Sequence, residues 1–281
     1  MKNILSVTLP VTLTCFAAVT FLATGQDASP PPKPLKALLV IGGCCHDYAK
    51  QKEILKAGLE ERVNLTVDIC YFADKGTKAT FTCYDKPNWA EGYDVIIHDE
   101  CSADIKDLAV VNRILDAHRN GTPGVNLHCA MHSYRTAADV GKPAETGTND
   151  ALWFDYLGLQ SSSHGRQAPI SITYANLPAL TGLTNWTTIN EELYNNVKVH
   201  GDSIIVAKGK QDNQETVVAW AHEYGAKKTK VFSTTIGHNN ETVADPKYLD
   251  LVARGLLWTT GHLTENGQPS PGYGPAKAPV K

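Results

Sequence analysis

The sequence predicts a three-layer, flavodoxin-like α/β domain with a mostly parallel central sheet between two layers of helices, and three observations carry that expectation. Short apolar runs alternate with longer amphipathic stretches from Leu35 to Gly261. The first run, Leu35-Lys-Ala-Leu-Leu-Val-Ile41, is almost continuously apolar and stops at Gly42-Gly43, as a parallel strand covered on both faces does. Between the runs, apolar residues recur near the helical period, which is the pattern of crossover helices.

Taken in order, Asp47 to Val63 is the first helix, with Tyr48, Ile54, Leu55, Leu59 and Val63 on its apolar face. Leu65 to Phe72 and Tyr93 to Ile97 are the second and third strands. Ile105 to His118 is a second helix, with Leu108, Val111, Ile114 and Leu115 on one side and Asn120-Gly121 at its end. Gly124 to Leu127 is the fourth strand. Trp153, Phe154, Tyr156 and Leu157 line a helix face that packs into the core, stacking on a sugar ring being the alternative. Ser161 to Arg166 is read as a loop, solvated by default, that could cover the site. Ile170 to Tyr174, Ser203 to Ala207, Thr216 to Ala221 and Thr229 to Thr235 extend the sheet. Pro246 opens a strongly apolar last helix that ends near Gly261, and Glu265 to Lys281 is a Pro/Gly-rich tail without a packing pattern.

The amino terminus reads as a processing signal. Lys2, the uncharged run Ile4 to Leu22 and the small residues Ala23-Thr24-Gly25 have the order of a secretory signal peptide. Thr8, Pro10, Thr12 and Thr14 dilute the run, which favours cleavage over a membrane anchor. The expected organisation is a signal peptide at 1–25, a Pro-rich linker at 26–34, one domain at 35–262 and a tail at 263–281. A secreted or periplasmic protein with no stable membrane insertion after signal removal follows. With 26 Lys and Arg against 29 Asp and Glu, the chain lacks the basic excess that phosphate-backbone binding needs, so nucleic acid is not an expected partner. Oligomeric state leaves no mark on the sequence.

Beyond the signal lie Cys44, Cys45, Cys70, Cys83, Cys101 and Cys129, an even number suited to disulfide bonding after export. Cys70 and Cys83 flank a short polar segment and form a natural local pair. Strain opposes a bond between the adjacent Cys44 and Cys45, so partners such as Cys101 or Cys129 are expected for them.

In open parallel sheets ligands bind beyond the carboxyl ends of the strands. Those ends are unusually reactive here: His46-Asp47-Tyr48 follows the first strand, His98-Asp99-Glu100-Cys101 ends the third, and His128-Cys-Ala-Met-His132-Ser-Tyr-Arg135 follows the fourth. Ile236-Gly-His238-Asn239 repeats the arrangement after a later strand.

The chain resembles the ThuA-like, or trehalose-utilisation, family. The resemblance rests on Leu-Val-Ile-Gly-Gly with His46-Asp47-Tyr48, on Asn-Leu-His128 to Arg135, on Glu191-Glu192-Leu-Tyr194, on Ala219-Trp220 to His238 and on Leu256-Leu-Trp258-Thr-Thr-Gly, in the family's order. It implies a class I glutamine amidotransferase-like fold and a role in carbohydrate metabolism, with a small carbohydrate as partner. Two cysteines after Gly43, and Cys129 where small residues are common, depart from the family pattern.

Three chemistries fit such a rim. In the first, His46, His128, His132 and His238 move protons on a glycoside or an oxidised (keto) sugar, with Glu192 as carboxylate partner. In the second, the same four histidines hold a divalent metal, zinc first, because His128 and His132 are four apart and would align on a helical turn. In the third and least favoured, Cys129 is the nucleophile of a hydrolase. Asp99, Glu100, Arg135, His164, Arg166 and Tyr194 are the expected substrate contacts. A non-catalytic sugar-binding module is the alternative function.

Overall fold

In the computed structural model, which describes residues 32–275, the first apolar run becomes β1 (Leu35–Gly43), buried at every position but Lys36. The expected signal peptide and residues 26–31 of the linker lie outside the described residues. The elements that follow are α1 (Tyr48–Glu60), β2 (Leu65–Phe72), β3 (Val95–Cys101), α2 (Leu108–Arg119), β4 (Gly124–Leu127), α3 (Leu152–Leu157) and β5 (Leu159–Tyr174). The chain closes with β6 (Trp186–Val199), β7 (Ile204–Gln211), β8 (Gln214–Tyr224), β9 (Thr229–Thr234), α4 (Asn240–Val243) and α5 (Pro246–Thr259).

Alternation along β1 builds the layers, because successive side chains leave a strand on opposite faces. Leu39 and Ile41 join a core with Leu55 and Leu59 of α1 and Leu249 and Leu256 of α5. Leu38 and Val40 join the other core, with Val111 and Ile114 of α2 and Trp153 and Tyr156 of α3. Two helices start on side-chain caps: Asp107 accepts from the Ala109 and Val110 amides, and Asp245, before Pro246, accepts from Lys247. Trp153, Phe154, Tyr156 and Leu157 are buried in the core and form no sugar platform.

The nine strands form one sheet in the order β2-β1-β3-β4-β9-β8-β7-β5-β6. Only the half from β2 to β9 is parallel; β9-β8, β8-β7, β7-β5 and β5-β6 are all antiparallel, so the sheet is mixed and not mostly parallel. The expected loop Ser161 to Arg166 is instead the bulged first half of β5, paired with β6, a strand that the sequence pattern did not suggest. The described part of the tail also packs: Leu263 bridges Pro269, the Asn64 amide donates to the Tyr273 carbonyl, and Tyr273 stacks on His262 at 3.5 Å. Among the described residues no helix is long and apolar enough to cross a membrane.

Cys70 and Cys83 are bonded, as the sequence suggests. Cys44 and Cys45 are bonded to each other, contrary to expectation, while Cys101 and Cys129 are free and buried. The backbone makes room for the vicinal bond by passing through positive φ at Gly42, Gly43 and Cys45, at 138°, 101° and 85°.

Candidate functional site

Three strands of the parallel half, β1, β4 and β9, end on one rim and deliver three imidazoles to it. β1 ends in Gly42-Gly43, where any side chain would collide: a Cβ on Gly43 would lie 2.4 Å from the Cys101 carbonyl oxygen. That close approach lets the chain turn out of the sheet and carry His46 over the rim. At the end of β4, His128 takes a positive φ of 39° and begins a 3₁₀ turn, His128–His132. After β9, Gly237 (φ 132°) lies against the Tyr248 ring and precedes His238. The ring centroids of His46, His128 and His238 are 4.7, 4.8 and 5.6 Å apart, and one nitrogen of each lies within 4.8 Å of the others.

Glu192, from the middle of β6, closes this group. Its Oε2 is 3.6 Å from His128 Nε2 and its Oε1 is 3.3 Å from His238 Nδ1. The His128 ring is fixed from behind, donating from Nδ1 to the Thr235 carbonyl at 2.6 Å, which leaves the Nε2 lone pair facing Glu192. Gln167 donates to both His238 Nε2 (2.8 Å) and Glu192 Oε1 (3.3 Å).

Burial dominates the protonation of the rings. It lowers the pKa of His46 to about 2 and that of His128 to about 4, so both are neutral at pH 7. His238 is raised above the ordinary histidine value, first by its contact with Glu192. Burial opposes ionisation of Glu192, but the His238 contact and the neighbouring imidazoles outweigh it and hold the carboxyl at about 2. The rim therefore combines two neutral imidazoles with a carboxylate–imidazole pair.

A cleft of about 210 Å³ opens above this group, bordered by the Cys44–Cys45 disulfide, His46, His132, Arg135, Glu192 and Tyr194. A larger hollow of about 370 Å³ lies elsewhere, between Arg62, Asp250, Arg254 and Pro269, but there Arg62 already donates to Asp250 at 2.7 Å and no nucleophile or imidazole is present. The smaller cleft holds the chemistry.

Residues 36–259 match the family model ThuA, described as trehalose utilisation. The chain belongs to the ThuA family. Two solved structures share the fold of this ThuA domain: a ThuA-like protein from Parabacteroides merdae (16% identity, TM-score 0.58, covering 85% of this chain and 98% of that one) and another from Bacteroides uniformis (15%, 0.59, 87% and 99%). No curated protein matches the chain in sequence.

The ThuA fold separates the remaining expected site residues. His132 is not part of the imidazole group: the turn after β4 is 3₁₀ and not α-helical, so residues four apart do not align. Its Nε2 meets Ser161 Oγ at 3.0 Å and its ring stacks on Tyr194 at 4.2 Å, forming a wall of the cleft. Arg135, donating to the Ser162 carbonyl at 2.9 Å, and His164 also border the cleft. Asp99 and Glu100 do not contact it. Asp99 is buried beneath the rim, and desolvation raises its pKa well above the carboxylate range. Glu100 points to the opposite core, where it accepts from Tyr84 (2.8 Å) and Tyr134 (3.0 Å) and faces His98 Nδ1 at 2.9 Å. Arg166 is spent on an exposed pair with Asp212 at 2.8 Å. The thiol of Cys129 is buried and donates to Cys101 Sγ at 2.8 Å, which with desolvation pushes its pKa well up and removes the nucleophile reading.

Sequence reasoning missed Glu191 and Gln51. The Glu191 carboxylate accepts from the amides of Gly237, His238 and Asn239 at 3.3, 3.0 and 3.1 Å, and Gln51 of α1 donates to the His238 carbonyl at 3.0 Å. Together they fix the loop that presents His238. The adjacent Glu191-Glu192 pair was the available signal, since alternation in a strand sends one carboxylate to each face.

Proposed function

We propose that this ThuA protein is an exported enzyme of carbohydrate metabolism that acts on a glycoside or oxidised sugar with a histidine-held divalent metal and Glu192 as the proton-transfer carboxylate. The supporting observation is the convergence of His46, His128 and His238 from three strand ends around one ionised carboxylate. The residues suit a metal. His46 Nδ1 is buried without a hydrogen-bond partner, His238 Nδ1 faces only Glu192, and imidazoles beside a carboxylate are a donor set that zinc prefers. When bound, such an ion supplies Lewis-acid polarisation of a sugar oxygen.

The chain's own residues do the rest. Glu192, held ionised and facing the cleft, accepts a proton from a sugar hydroxyl or a water. The same carboxyl then returns the proton to the leaving oxygen, while His238 stays in the donor set. The stacked His132 and Tyr194 rings give the cleft a flat apolar wall suited to a pyranose face, and Arg135 stands at its border as a donor to sugar hydroxyls. The signal-like amino terminus and the Cys70–Cys83 disulfide support an oxidising, exported location.

Elemental analysis of the purified chain, together with NMR-monitored conversion of trehalose, tests the reading. One equivalent of zinc, lost in His46→Ala and His128→Ala but kept in His132→Ala, and turnover lost in Glu192→Gln, are the expected results. Saturable trehalose binding without metal or turnover would overturn it in favour of a binding module.

A further inference from the structure

The strand ends that carry the imidazoles also carry sulfur, and the sheet register explains why. Gly43 of β1 is paired with Cys101 of β3, so Cys44 leaves the sheet directly beside Cys101, while Cys129 follows β4 on the other side of β3. Cys44 Sγ lies 3.2 Å from Cys101 Sγ, and Cys101 Sγ lies 2.8 Å from Cys129 Sγ. Four sulfurs thus form a continuous chain from the Cys44–Cys45 disulfide at the cleft mouth to a buried thiol. Only Cys45 is exposed; Cys44, Cys101 and Cys129 are 7%, 3% and 6% accessible.

We propose that Cys45 is a masked thiol, uncovered at the cleft mouth by thiol–disulfide exchange with Cys101 and then open to modification by a soft electrophile such as a low-molecular-weight disulfide. In the exchange the Cys101 thiolate attacks Cys44 Sγ, the Cys101–Cys44 bond forms, the Cys44–Cys45 bond breaks, and Cys45 leaves as the thiolate. The proton lost by Cys101 ends on Cys45, so the step needs no external oxidant. In the modification, the Cys45 thiolate bonds one sulfur of the small disulfide and expels the other as a thiolate.

Separations of 3.2 and 2.8 Å bring each sulfur within reach of the next. Cys101 is also the right nucleophile. The Cys129 hydrogen bond, with Arg135 nearby, lowers its pKa below the ordinary thiol value against the effect of burial. Exchange exposes a reactive group next to His46 while hiding the new disulfide from external reductants, which distinguishes it from a disulfide that only staples the loop.

The full chain, without reductant, is treated with iodoacetamide under native conditions, quenched in acid and mapped by peptide mass spectrometry. Carbamidomethylated Cys45 together with Cys44–Cys101 linked peptides is the expected result, with Cys45 labelling at least tenfold slower in Cys101→Ser. Preincubation with glutathione disulfide places glutathione on Cys45 and blocks the label. An intact Cys44–Cys45 peptide with Cys45 unlabelled in the wild-type chain, or equal labelling in Cys101→Ser, overturns the proposal. Should Cys101→Ser lose its fold by circular dichroism, the linked peptides of the wild-type chain decide alone.

Discussion

Glu192 places an ionised carboxylate beside His46 and His128, which burial keeps neutral, and its contact with His238 works in both directions. The carboxyl is held at about 2 and His238 is raised by the same charge. Replacement by Gln preserves the shape and the Gln167 neighbourhood but removes that charge. In the chelator-treated protein, the His238 ring therefore titrates above the ordinary value in the wild type and falls back to it or below in Glu192→Gln, as followed by NMR of the ring protons. An unchanged His238 titration would mean that the 3.3 Å contact carries no coupling. Turnover should fall by about 10² or more in the same variant if Glu192 moves the proton. His132→Ala should change substrate affinity more than the proton chemistry, because His132 reaches the cleft through its stack on Tyr194 and not through the imidazole group.

At the scale of elements, the end of β1 decides whether the site exists. Gly43→Ala introduces a Cβ 2.4 Å from the Cys101 carbonyl at a φ of 101°, so the loop carrying Cys44, Cys45 and His46 must move. A loss of about 2 kcal/mol or more in urea unfolding is expected, with a fall in metal affinity, since His46 shifts with the loop. This element was legible in the sequence, because a continuous apolar run ending in two glycines has few other uses. The parallel half and α5 were legible for the same reason: fully buried strands and a Pro-started apolar helix announce themselves. β5 and β6 were not. Their central residues, such as Ser161 to Gln167 and Asn190 to Glu192, are polar because they border the cleft or its supporting loop, and polarity at these positions hides the strand period. The histidines at the strand ends were likewise readable as a group. Which of them converge depended on a 3₁₀ turn, and which carboxylate faces the cleft depended on strand alternation; neither leaves a local sequence signature.

The whole molecule carries an unusual load of buried neutral imidazole, and acid should reveal it. Burial lowers the pKa of His46 to about 2 and of His128 to about 4, and it also holds His118 and His132 well below 6.5. Each of these rings is neutral when folded and takes a proton near 6.5 once unfolded, so the unfolded state binds more protons below that pH and stability falls as pH falls. Between pH 7 and 5 His46 and His128 each cost about 2 kcal/mol, and His118 and His132 act in the same direction. Three groups oppose the trend: Asp99 and Glu191, raised by burial, and His238, raised by Glu192, bind protons more readily when folded and gain stability on acidification. They offset part of the loss, while the depressed Glu192 adds to it only as its unfolded value of 4.5 is approached. Urea midpoints of the chelator-treated chain at pH 7 and pH 5 measure it directly. His118 gives the control, because it lies away from the site, between the Thr122 carbonyl at 2.7 Å and His98 Nε2 at 3.0 Å. In His118→Gln the difference between the two pH values should shrink by that ring's share, with the site untouched. A pH 7-to-5 difference that is unchanged in His118→Gln would mean that this buried ring is charged in the folded state.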